Sequence, residues 1–328
     1  MPLTFSYKGR RRNRWVKATL LAALPVVLYL FMVAQLSWRP RTLKPGSRVP
    51  SITHLNFSPL LAFSPDGTLL ASFDDYVEVW DVRSGRLLWS RKILAAPPLA
   101  FSPDGKLLAT GGEGGISLSN PYTGDLYRTF KDASSPIAFS SDSKLLCSGN
   151  GIWDIQQGKL LHKLTGQRTG MEEAVFTLDG KTIISGADDG TVSWWDAQTG
   201  TLLRSKKRPE WLGLIVFAPD ASVMVTGRDF GLKVWDTQTG ALLRNLTKPK
   251  EGGYDPGSFS ANGKFLISTG PGPLFNSQAL TSRNIQTGQL SQLRTLRCYP
   301  EFHYVLSPDG STLATGESNG AVKLWRVK

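Results

Sequence analysis

Hydrophobic and polar positions along this chain recur in one order: an apolar residue, a polar turn, then a short apolar run closed by Ser or Thr. It reads FSPDGTLLAS from Phe63, FSPDGKLLAT from Phe101, FSSDSKLLCS from Phe139, FTLDGKTIIS from Phe176, FAPDASVMVT from Phe217, FSANGKFLIS from Phe259 and LSPDGSTLAT from Leu306. The hydroxyl residue always lies nine positions after the first, at Ser72, Thr110, Ser148, Ser185, Thr226, Ser268 and Thr315. Successive copies start 38, 38, 37, 41, 42 and 47 residues apart. Apolar runs this short, bounded by Pro, Asp and Gly, predict strands.

The turn chemistry makes each copy a β-hairpin. Proline presets φ at the second turn position, Asp tolerates the third, and Gly takes the positive φ that follows. A second turn comes downstream in six copies: DVRSG from Asp81, NPYTG from Asn120, DIQQG from Asp154, DAQTG from Asp196, DTQTG from Asp236 and NIQTG from Asn284. Two tight turns in about forty residues leave room for four strands and no long helix. Five copies also place a Trp just before the second turn position: Trp80, Trp153, Trp195, Trp235 and Trp325.

These phrases resemble the WD repeat family, whose blades carry FSPDG after the inner strand and a Trp and Asp pair at the end of the third. The resemblance covers roughly residues 50 to 328 and implies an all-β, seven-bladed β-propeller of four-stranded blades over 51–328. The last copy stops at Lys328 without a fourth strand. The segment near Ser51 to Leu55 is therefore expected to supply the outer strand that closes the ring and removes exposed edges. In the family a His nine residues before the Phe often joins a buried set with the hydroxyl residue, the Trp and a loop Asp. Only His54 stands at that offset, so blade one is expected to hold a structural network of His54, Ser72, Trp80 and Asp74 or Asp75.

Outside the repeats, Ala18 to Trp38 is a stretch of 21 residues without charge, long enough as a helix to cross roughly 30 Å of hydrocarbon. Residues 1–17 form a basic tail, 18–38 a transmembrane signal anchor, and 39–50 a linker rich in Pro and basic residues. Six positive residues precede the stretch and four follow it, which favours a cytoplasmic N-terminus and a propeller on the extracytoplasmic side. A cleaved signal peptide, releasing a secreted propeller, is the competing reading. The core is longer than such signals, and Met32-Val33-Ala34 has a large residue where cleavage wants a small one.

Net charge is +12, but the first 48 residues hold ten Lys and Arg and no acid. The remainder carries 28 basic and 26 acidic residues, so the basicity belongs to the anchor region and no nucleic-acid partner is expected. Chemistry is sparse. Three His, at 54, 162 and 303, fall in different copies without metal spacing, and Cys147 and Cys298 sit too far apart in the proposed fold to be bridged. No Gly-rich phosphate loop, HExxH or GxSxG appears. No catalytic, metal or cofactor site is expected, and the recurring turn Asp residues, such as Asp66 and Asp309, read as structural. WDVRSGRLLW from Trp80 to Trp89 also resembles a quinoprotein-like propeller enzyme, a minor alternative confined to one blade.

Function is then expected where the sequence does not repeat. The two repeated turns share one face of an antiparallel blade; the remaining links share the other. There stand KKRPEW from Lys206, KPKEGGY from Lys248, RCYPEFHY from Arg297 and the long loop TGPGPLFNSQAL from Thr269. Aromatic and Arg residues on a rigid rim suit protein partners. The candidate contacts are Arg208, Trp211, Phe230, Tyr254, Phe275, Tyr299 and Tyr304, with inward packing of some as the alternative. The expectation is a membrane-anchored, nonenzymatic scaffold or interaction module.

Overall fold

The computed structural model describes residues 41–43, 60–93, 98–112, 114–166, 171–187, 189–207, 214–227, 231–247, 255–260, 263–271, 278–296, 303–316 and 320–327. They form seven four-stranded antiparallel sheets, six built from one hairpin-rich repeat each and the seventh from the last repeat and Arg41–Leu43. The innermost strands of blades one and seven, Leu60–Phe63 and Tyr304–Leu306, lie side by side, which closes the ring.

Ring closure differs from the sequence expectation in its strand. Arg41–Leu43, assigned above to the linker, is the outer strand of blade seven and pairs Leu43 with Val322 and Arg41 with Leu324. The propeller therefore begins at 41, and the segment Ser51–Leu55 lies outside the described residues. The physical reason is Leu43, which is buried in an apolar cluster with Leu70, Trp80 and Ala314. A strand of three residues with a single apolar side chain makes no period for a sequence pattern to show. Ala18 to Trp38 also lies outside the described residues; among those described, no helix is long and apolar enough to cross a membrane.

Seven apolar clusters occupy the seven seams between blades. Phe176, Ile183 and Trp195 of blade four meet Cys147 and Ile152 of blade three, and Tyr304, Leu313 and Trp325 of blade seven meet Ile267 and Leu280 of blade six. A blade buries both faces, so its strands are apolar on successive positions rather than alternately. That is the origin of the runs LLAS, LLAT and TIIS.

Polar groups repeat with the same regularity. In the first turn of blade one, Gly67 N–H donates to the Ser64 carbonyl at 2.8 Å, the Ser64 hydroxyl to Asp66 Oδ1 at 2.6 Å, and Leu69 N–H to Ser64 Oγ at 2.9 Å. Ser102, Ser140 and Ser307 each donate to the Asp two residues on in the same way. In the second turns, Asp81, Asp154, Asp196 and Asp236 accept backbone N–H bonds from the residues that follow.

Outer strands of five blades tie each of them to the next. Arg128 Nη2 donates to the Gln156 carbonyl at 3.0 Å, Arg244 Nη1 to Thr287 at 3.4 Å, Arg41 Nη1 to Arg83 at 2.6 Å, and Arg204 to Gln238, each acceptor lying in the second turn of the following blade. Blade one uses Trp89, whose indole N–H reaches the Pro121 carbonyl at 2.8 Å. The turn glycine is the seat for these side chains: a Cβ on Gly124 would stand 2.8 Å from the Trp89 ring, and one on Gly158 would strike the Arg128 guanidinium. Both glycines also have positive φ, 75° and 71°, so two independent constraints select the same residue.

Candidate functional site

The expected network of blade one has one limb in view. Trp80 Nε1 donates to Ser72 Oγ at 3.2 Å, with both residues buried. Asp74 is exposed in the adjoining hairpin with its carboxylate beside Gly320 of blade seven, Asp75 is half-buried, and His54 lies outside the described residues. The same limb recurs where no His stands: Trp195 to Ser185 at 3.0 Å, Trp235 to Thr226 at 2.9 Å and Trp325 to Thr315 at 2.9 Å. Opposite Trp80, Trp195 and Trp235 the outer strand carries one extra residue, Leu88, Leu203 and Leu243, so a bulge bends that strand beside each indole. These side chains hold blades together.

Blades three and six solve the same position differently. The Ser148 hydroxyl donates instead to the Ser134 carbonyl at 2.6 Å, leaving Trp153 Nε1 buried without a hydrogen-bond partner among the described residues. Blade six replaces the Trp by Arg283, buried, which donates to the Leu246 carbonyl of blade five at 3.1 Å, while Ser268 and Thr281 share a hydroxyl bond at 3.0 Å.

Of the seven candidate contacts, Arg208, Trp211, Phe230, Tyr254, Phe275 and Tyr299 lie outside the described residues. Tyr304 differs from the expectation. It is 8% exposed, packed in the seam of blades six and seven, with its ring where a Cβ on Gly257 would stand. It starts the innermost strand, and the pleat turns it toward blade six. Gly257 leaves the space that ring fills.

The face opposite the repeated turns is nevertheless built up in blade six. Its second and third strands, Phe265–Pro271 and Gln278–Asn284, stay paired for three residues past Ser268, ending at Pro271 with Gln278. In the other blades the corresponding pairing runs at most two residues past the hydroxyl position. Six residues, GPLFNS, join the two strands.

Burial shifts the ionisation of three groups among the described residues. Burial, and next the charge of Glu172, pushes the Glu173 carboxyl up to about 7 on the innermost strand of blade four. Its side chain keeps open surface at the start of that strand. Burial lowers His303 on the innermost side of blade seven and pushes the Cys147 thiol up to about 12. In the blade-seven turn, the Ser307 hydroxyl and next Ser311 hold the Asp309 carboxyl low. No group of three or more metal-ligating side chains occurs among the described residues. Trp89, which ends the phrase that carried the quinoprotein resemblance, is the side chain seated on Gly124 of the next blade. On the turn face, a cleft of about 610 Å3 opens between blades one and two, lined by Pro65, Asp66, Pro103, Lys106 and Tyr122 among others.

The WD domain, G-beta repeat family matches residues 50–81, 99–118, 158–196 and 291–326. Two of these matches run from the outer strand of one blade through the third strand of the next. With seven four-stranded blades, the chain is a WD-repeat propeller. No curated protein matches it.

Proposed function

We propose that this chain is a nonenzymatic interaction propeller, anchored in a membrane by residues 18–38, that receives a protein or peptide partner on the face opposite its repeated turns. The extended blade-six hairpin carries the reading, because it is the largest departure from a repeat that is otherwise committed to turns and seams. Proteins of the WD-repeat class generally bind protein partners. A rigid rim suits that use: loops carry the contacts and the blades hold them in place.

Arg208, Trp211, Phe230, Tyr254, Phe275 and Tyr299 are the proposed contacts, with Trp211 first among them. The orientation proposed is a cytoplasmic N-terminus and an extracytoplasmic propeller, from the excess of positive charge before the uncharged stretch.

Crosslinking in native membranes, followed by purification in detergent, tests the face. Wild type should carry a specific partner that Trp211→Ala with Tyr299→Ala, or removal of residues 272–277, releases without changing the melting temperature. A chain that brings down no partner, or whose capture is untouched by both changes, overturns the reading. A reporter fused after Lys328 tests orientation: activity of a reporter that works only in the cytoplasm overturns it.

A further inference from the structure

Among the described residues, large exposed apolar side chains gather at one end of the blades. Tyr122 and Leu178 project from the repeated turns at 55% and 63% exposure, and Leu126, Leu242, Phe265 and Leu290 each open the strand that follows a turn. The others occupy the second or third residue of outer strands, and none stands at the opposite end. Among them are exposed cations, Lys106 and Lys144, each within 4 Å of its own turn carboxylate at 3.9 and 3.5 Å. Exposed apolar side chains scattered singly are ordinary; a set that recurs toward one end of five of the seven sheets, blades two to six, marks a contact surface.

The chain enters the propeller at this same end. Arg41 opens the outer strand of blade seven and reaches the second turn of blade one, and the strand runs from there toward the opposite face. Only Arg39 and Pro40 separate it from Trp38, the last residue of the uncharged stretch. Three residue steps reach about 11 Å when fully extended. We infer that the repeated-turn face is a membrane-facing surface, with Tyr122, Leu178 and the neighbouring leucines meeting the interface of a lipid bilayer. This rests on the proposed anchor. Tyr and long Lys side chains suit such a boundary, where an apolar body and a polar tip are both accommodated. Turn carboxylates and cations stand together here, so the contact is with the apolar interface and not with anionic headgroups in particular. The opposite face, with the blade-six hairpin, is left free for partners.

The test uses the full chain, with Cys298→Ser, in nanodiscs of zwitterionic lipid carrying a spin label at headgroup depth. Cys147 is buried with its thiol pushed up to about 12, so it stays silent toward the probe. An environment-sensitive fluorophore is attached in turn at Tyr122→Cys, Leu178→Cys and, at the opposite end, Asn150→Cys. The expected result is loss of fluorescence at both turn positions and none at position 150. Quenching at 150 alone, equal quenching at all three, or none at any overturns the inference. Extraction of native membranes with alkaline carbonate separates the two readings: release of the chain sinks the anchor and this inference together, whereas retention with the wrong quenching pattern sinks the inference alone.

Discussion

The indole of Trp195 and that of Trp153 occupy equivalent positions and differ in one hydrogen bond. Trp195 donates to Ser185 at 3.0 Å, whereas Trp153 Nε1 is buried with no acceptor among the described residues. Replacement by Phe removes similar volume in both, so the difference in cost isolates the bond. Trp195→Phe should cost about 1 kcal/mol more than Trp153→Phe in denaturant unfolding, because a buried donor without an acceptor is already a liability. Equal costs would show that the bond adds nothing. Glu173 supplies a second prediction. Its carboxyl is raised from 4.5 to about 7, so the native state holds a proton that the unfolded chain has released. Stability therefore falls as pH rises from 4.5 to 7, and Glu173→Gln should remove that slope from the pH profile of the melting temperature. The candidate contacts were read from residue type and loop position alone. Tyr304 shows the limit of that approach, since whether an aromatic at a strand start points out or into a seam depends on the neighbouring blade, here on Gly257.

At the scale of strands and turns, the recurring glycine of the second turn does more than permit a positive φ. In four of the blades the side chain four residues after such a glycine, Trp89, Arg128, Arg204 or Arg244, reaches the second turn of the following blade. This spacing is present in the sequence, but its meaning lies between blades, where one repeat meets the next. Gly158→Ala should be destabilising by about 1–2 kcal/mol from backbone strain alone, and by more while the Arg128 guanidinium covers the site. Adding Arg128→Ala should recover the steric part and leave the strain, which a double-mutant cycle of unfolding free energies measures. Strict additivity would separate the arginine from the turn. Blade six shows the opposite case, an element whose length was legible as an insertion but whose added strand pairing was not.

For the whole propeller, closure depends on three residues. A chain beginning at Pro40 retains Arg41–Leu43, whereas one beginning at Lys44 loses the outer strand of blade seven, the Leu43 anchor and the Arg41 contact with blade one. The shorter chain should melt lower, less cooperatively and with aggregation through the uncovered edge of Val322–Arg326, seen by calorimetry and light scattering. Identical melting of the two would place closure elsewhere. The sequence by itself determined the number of blades, their four strands, the turn chemistry and the structural role of the repeated Asp, Ser and Trp residues. All of these are set by contacts within about forty residues, where period and turn type leave a local trace. Only the tertiary structure decided which strand closes the ring, how outer arginines and turn glycines join successive blades, and that Tyr304 is buried. Those depend on surfaces brought together across the ring, between residues as distant as Leu43 and Val322, whose complementarity has no period along the chain.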